Sequence, residues 1–208
     1  MSHRNWLFAV SAAAVLTPVA WLAAQAATPS EPASAIERGR YLVTLAGCNR
    51  CHTPWAFNKD LGMPAPDMTR MLSGHPADAP APAGTLGPKD IALIGPTFTS
   101  FKMPFGVVYA ANLTPDRDTG LGSWTEAMFR KAFRSGKHMG GDGRAVVPPM
   151  PWMDLARATD EDLKAVFAYL RSIPAIRNPV PDHQVPSAAL DAITQKMGKL
   201  AAVLAGGH

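Results

Sequence analysis

Cysteine is scarce in this chain: 208 residues hold two, at positions 48 and 51. A pair so close in sequence would close a tiny loop and staple almost nothing, so a disulfide framework is excluded and the two sulfurs point to chemistry. Charge is thin as well, with 17% of residues charged and a formal net charge of +4. No basic run and no aromatic-basic stripe occurs, which excludes a nucleic-acid surface. Internal repeats are absent. So are strand runs with a clear two-residue alternation of apolar and polar side chains, which argues against a β-rich domain.

What is abundant is proline and glycine, 20 and 17 residues, and such counts predict long irregular segments between helices. One long apolar run stands out, from Trp6 to about Ala24, after the single charge of Arg4 and before Ala24-Gln25-Ala26. This layout predicts a secretory signal peptide over residues 1–26. An uncleaved anchor is the alternative, since the run is nearly long enough to span a bilayer, and only then would the chain touch a membrane. Pro18 and the small residues favour cleavage.

Residues 27–33 read as a flexible lead. From Ser34 to Leu45 the pattern is helical, with Ile36, Tyr41, Leu42 and Leu45 sharing a face, Ser34 and Glu37 forming a capping box, and Gly47 ending the helix. The stretch from Pro54 to Pro104 is broken by prolines throughout and predicts an ordered but irregular insertion over about residues 57–105. A second helix opens at Ser123 with Glu126 three residues later, runs to about Arg134 and stops at Gly136. Thr159 with Asp162 opens a third, lined by Leu163, Val166, Phe167 and Leu170. In the tail, residues 182–208, Leu190, Ile193, Met197, Leu200 and Leu204 recur at helical spacing and predict an amphipathic helix, packed on the domain of residues 34–181 or, as the less favoured alternative, binding a partner.

The chemistry sits in Cys48-Asn49-Arg50-Cys51-His52, the C-x-x-C-H spacing of c-type haem attachment. One helical turn brings two thiols to the two vinyl groups of one haem, and the next residue offers its imidazole to the iron. Three rival readings are weaker. A thioredoxin-like pair follows a strand, whereas a helix precedes this motif. A structural zinc site needs a fourth ligand, and no second Cys or paired His follows. Chance is a poor account of a motif that holds both cysteines. The reading is therefore one covalent haem c per chain, held by Cys48 and Cys51, with His52 as the proximal iron ligand.

The sixth iron position decides between electron transfer and ligand chemistry. Met150, in Pro148-Pro149-Met150-Pro151-Trp152, is the leading candidate, because flanking prolines fix the backbone that carries its thioether. Met153 is the nearest rival and Met139 the next. The isolated histidines His75, His138 and His183 read as surface residues. Tyr41, Phe133, Trp152 and Leu163 are expected to wall the haem.

The order of elements resembles a class I cytochrome c domain over about residues 35–180. Asn112-Leu113-Thr114-Pro115-Asp116, Gly120-Leu121-Gly122-Ser123-Trp124 and Pro149-Met150-Pro151-Trp152 are similar to one branch of it. That branch holds the haem modules in cytochrome subunits of alcohol and gluconate dehydrogenases and related single-haem periplasmic cytochromes. The resemblance implies an all-α fold, with three main helices around one covalent haem and a long irregular insertion. It implies Met150 as distal ligand and a periplasmic one-electron carrier rather than an enzyme. Its expected partners are redox proteins, a dehydrogenase as donor and an oxidase or another cytochrome as acceptor. The dehydrogenase subunits carry three attachment motifs and this chain carries one, so their substrate-level roles do not transfer. Two alternatives stay open: a fixed electron-transfer subunit of a larger oxidoreductase complex, and a haem enzyme or gas-binding protein with an open sixth site.

Overall fold

A pair of crossed helices forms the frame in the computed structural model of the chain, which describes residues 31–141 and 143–206. Helix α1 spans Glu31–Leu45 and helix α5 spans Asp160–Ser172. They meet at Gly39, where a Cβ would lie 2.0 Å from the carbonyl oxygen of Ala165 and 2.7 Å from the Cβ of Tyr169. The absence of a side chain there is what lets the two backbones touch. Arg38 of α1 closes the crossing with a 2.6 Å ion pair to Asp162. The expected signal peptide and most of the expected flexible lead lie outside the described residues, while residues 31–33 already belong to α1, three residues ahead of the expected capping box.

The helix caps repeat the same logic with one shift. In α5 the Thr159 hydroxyl accepts from the Asp162 N–H, as the sequence predicts. Helix α3, Glu126–Ser135, is capped by Thr125, whose hydroxyl accepts from the Met128 N–H, and not by Ser123. Gly136 ends it in the left-handed region at φ 64°, beneath the Trp152 ring. The C-x-x-C-H motif is itself one helical turn, α2, Cys48–His52. Helix α4, Trp152–Leu155, follows the methionine loop, and α6, Ser187–Gly206, is the tail helix.

The all-α expectation is wrong. Among the described residues six α-helices are joined by two small antiparallel sheets. Strand β1, Trp55–Asn58, pairs with β2, Met63–Pro66; β3, Leu93–Ile94, β4, Ser100–Met103, and β5, Gly106–Tyr109, form the second sheet in that order. The prolines did not prevent this. Pro64 and Pro66 lie two residues apart in β2, so their missing N–H groups fall on the same edge of a two-stranded ribbon, where no partner strand needs them. Strands of two to four residues are also too short to display an alternation in sequence.

Two apolar clusters make the core. The first gathers Val43, Leu72, Leu121, Phe129, Leu163 and Leu170, and so joins α1, α3 and α5 to the insertion. The second gathers Phe101, Met103, Val108 and Val147, with Leu190 and Ile193 of α6 packed on it. The tail helix thus docks by its first turns, whereas Leu200 and Val203 further along are exposed. Among the described residues no helix is long and apolar enough to cross a membrane.

Gly39→Ala should destabilise the protein by about 1–3 kcal/mol, the usual cost of forcing extra volume into a packed contact. The guanidinium unfolding midpoint reads this directly, and a midpoint equal to that of the unmodified chain would contradict the close crossing.

Candidate functional site

A cavity of about 580 Å³ opens between the two clusters, within the ordinary size range of a cofactor site. Its wall is largely apolar, with Phe101 and Val108 on one side and Leu113, Leu121, Phe129 and Phe133 on the other. Of the predicted site residues, Cys51, His52 and Met150 line it, whereas Cys48 packs beside it against the first cluster. Met139 also lines the cavity, and Met153, the nearest rival in sequence, does not. Of the four side chains expected to wall the haem only Phe133 lines the cavity. Tyr41 is 60% exposed on α1, Leu163 is spent on the helix crossing, and Trp152 is buried over Gly136.

His52 is held at both ends. Its ring Nδ1 lies 2.8 Å from the carbonyl oxygen of Ala111, and a carbonyl only accepts, so the proton is on Nδ1 and the lone pair on Nε2. Among the described residues Nε2 has no hydrogen-bond partner. Burial also holds the imidazole below its usual pKa, keeping the neutral, ligand-competent form. The backbone carbonyl of His52 accepts from the Gly74 N–H at 2.7 Å, so the residue is clamped between two loops. Those loops are tied to each other: the Leu113 N–H donates to Leu72 and the His75 N–H to Ala110. Thr53 completes the clamp, donating to the Asn49 side chain and accepting from the Leu72 N–H.

The two thiols do not look like a redox pair. Burial pushes the Cys48 thiol up to about 11 and raises Cys51 too, the opposite of the lowered pKa that a nucleophilic C-x-x-C pair requires.

Asn112 holds the loop that presents the Ala111 carbonyl. Its Oδ1 accepts from the Thr114 N–H and hydroxyl, and its Nδ2 donates to Thr119 and to the Ile176 carbonyl. Asn178 plays the matching part in the C-terminal segment, donating to the carbonyls of Ser73 and His75 and accepting from the Ala77 N–H. The resemblance drew attention to residues 112–116, but the role of Asn178 had no signal in sequence because its partners lie about a hundred residues away. The three histidines read as surface residues are not. His75 is fully buried, bonded to Thr99 and tilted against the Tyr109 ring, while His138 and His183 are half-buried on the cavity wall.

No protein-family model matches the chain. Curated proteins do. It is 31% identical over 186 residues to the cytochrome c subunit of a quinone-dependent alcohol dehydrogenase of Gluconobacter oxydans, covering 88% of this chain and 30% of that one. The chain carries a cytochrome c domain similar to those of dehydrogenase cytochrome subunits. The fructose dehydrogenase cytochrome subunit of Gluconobacter japonicus is 29% identical over 167 residues, with 77% of this chain and 27% of the relative covered. A nicotinate dehydrogenase component of Pseudomonas putida is 31% identical over 153 residues, with 74% of this chain and 10% of the relative covered. The cytochrome c domain thus spans three tenths or less of the length of these relatives. In such a domain the cavity fits a haem: His52, with Nδ1 bonded to the Ala111 carbonyl, and Met150 both line one largely apolar space.

Asn112→Ala should cost the protein about 1–3 kcal/mol, because it strands the buried Thr114 N–H and removes one of the two donors to the Ile176 carbonyl. Chemical unfolding of the variant measures this, and a loss below a few tenths of a kcal/mol would show that the loop does not depend on Asn112.

Proposed function

We propose that the protein is a mono-haem c-type cytochrome that carries single electrons in the periplasm, from a dehydrogenase towards a respiratory-chain acceptor. The observation that carries this reading is His52, neutral and fixed in one tautomer by the Ala111 carbonyl, on the wall of a cavity that Met150 also lines. Cys48 and Cys51 would supply the two thioether bonds, His52 the proximal ligand and Met150 the distal one. The haem iron would supply the chemistry, cycling between Fe(III) and Fe(II) with no bond made or broken in a substrate. Everything else is the work of the chain. Phe101, Val108 and Phe129 keep water from the site, the Ala111 carbonyl raises the basicity of the imidazole, and a thioether raises the potential and closes the iron to small ligands. The signal-peptide layout of residues 1–26 supports export, and the position of Met150 on the cavity wall supports it over Met153.

A second arrangement of the same activity is favoured by the comparisons. The relatives are subunits of dehydrogenases, so the protein could serve as a fixed electron-transfer subunit, with the exposed end of α6 at Leu200 and Val203 available to a larger complex.

Exchange of the distal ligand tests the reading. In Met150→Leu the weak long-wavelength absorbance of ferric iron bound to a thioether should vanish, and the reduced variant should bind carbon monoxide rapidly while the unmodified protein does not. Retention of that absorbance in Met150→Leu, with its loss in Met139→Leu, would overturn the ligand assignment. Rapid carbon monoxide binding by the unmodified protein would overturn electron transfer as the function.

A further inference from the structure

The fold buries a histidine that haem ligation does not use. His75 is fully buried and lies off the cavity wall, yet it bonds to Ala110, the residue just before the carbonyl that holds His52. An aliphatic side chain would fill such a space with no polar atoms to satisfy, so a buried imidazole calls for a reason. Burial holds the ring below its usual pKa, although the Ala79 carbonyl and the Asp78 charge pull the other way.

Three hydrogen bonds close a ring there. The His75 N–H donates to the Ala110 carbonyl at 2.9 Å, the Ala110 N–H donates to the Thr99 carbonyl at 2.8 Å, and the Thr99 hydroxyl lies 2.9 Å from His75 Nδ1. The donor in the last bond follows from the other ring nitrogen. Nε2 lies 3.3 Å from the Ala79 carbonyl oxygen, which only accepts, so the proton is on Nε2 and Nδ1 takes the Thr99 hydroxyl. Thr99 in turn accepts from the Thr97 hydroxyl at 2.7 Å. The face of the ring is occupied too, tilted against Tyr109 with centroids 4.8 Å apart. An acceptor, a donor and an aromatic face are all in use, and histidine offers the three at separate atoms of one ring. The residue before it completes the grip. Gly74, at φ 78°, lies so close to the facing peptide that a Cβ would stand 2.6 Å from the Ala110 oxygen and 2.7 Å from the Ala111 oxygen. The Gly74 N–H also donates to the His52 carbonyl at 2.7 Å, so this turn touches the ligand and its acceptor together.

We propose, on the haem reading of this cavity, that His75 is a positioning residue for the ligand His52: through Thr99 and Ala110 its ring sets the alignment of the Ala111 carbonyl with the Nδ1–H of His52. A carbonyl in line with that N–H makes the imidazole a stronger donor to iron and favours Fe(III). One turned aside weakens the donor and favours Fe(II). His75 is not on the cavity wall, so it acts on the iron through this chain of bonds. The Asn178 side chain holds the same turn through the carbonyls of Ser73 and His75, which leaves the ring little freedom to shift.

Four forms of the exported, haem-loaded protein test this: unmodified, His75→Leu, His75→Asn and, as a control that strains the α1–α5 crossing instead, Gly39→Ala. Two readouts are followed, the proton NMR resonance of the His52 Nδ1–H in the reduced, diamagnetic protein and the reduction potential. In His75→Leu the resonance should move upfield as its hydrogen bond weakens. The Fe(II)/Fe(III) equilibrium constant should rise about threefold, a potential higher by ~28 mV for a one-electron couple. His75→Asn keeps an acceptor for the Thr99 hydroxyl and should recover more than half of both changes. Gly39→Ala should lose stability and move neither readout. If His75→Leu fails to accumulate, Thr99→Val decides, because it removes the same hydrogen bond while keeping the side-chain shape, and it should move both readouts in the same directions. Either readout unmoved in whichever of these two variants accumulates, no recovery in His75→Asn, or equal changes in Gly39→Ala would overturn the proposal while leaving the haem reading intact. An unmodified protein with no bound haem would instead overturn the haem reading itself.

Discussion

One hydrogen bond organises the molecule: the Nδ1–H of His52 to the carbonyl oxygen of Ala111. It fixes the ring, chooses the tautomer and leaves the lone pair of Nε2 for the cavity. A buried imidazole without that acceptor would be free to rotate and to protonate at the wrong nitrogen. Much of the rest of the structure serves to keep the carbonyl where it is. Asn112 stiffens the loop beside it, Thr114 and Thr119 relay that loop to the segment around Ile176, and Asn178 ties the segment back to the carbonyls of Ser73 and His75. The Gly74 N–H then returns to the backbone of His52.

This arrangement gives the insertion a role. Residues 71–75 form the inner wall of the clamp, with Leu72 and Thr53 both fully buried at its base. Further along, β4 and β5 contribute Phe101, Val108 and Tyr109 to the cavity. The irregular segment thus backs His52 and adds Phe101 to the cavity wall, with Val108 and Tyr109 just beyond its end. Its outer part is different, since Phe57, Leu61, Met63 and Ile91 face solvent.

The helices and the attachment motif were legible in sequence because their signals are local. Caps, apolar spacing and C-x-x-C-H all lie within a few residues, and α1, α2, α3 and α5 appear within a few residues of their expected limits. The strands were not legible, because two to four residues carry no period and their partners are set by the whole chain. The same holds for the polar network. Nothing near Asn178 or His75 in sequence announces burial, and a histidine among loop residues gives no sign that a tyrosine and a threonine will enclose it. The methionine loop lies between these cases. Its flanking prolines singled out Met150, but only the folded chain separates it from Met153 and brings Met139 to the same wall.

The account depends on a single haem joined covalently through Cys48 and Cys51 beside His52. Intact-mass measurement of the exported chain after acid-acetone treatment tests this most directly. The account predicts the mass of the polypeptide plus one haem, and the polypeptide alone for the Cys48→Ala, Cys51→Ala double variant. A treated protein of bare polypeptide mass, or one that keeps the added mass without both cysteines, would contradict it.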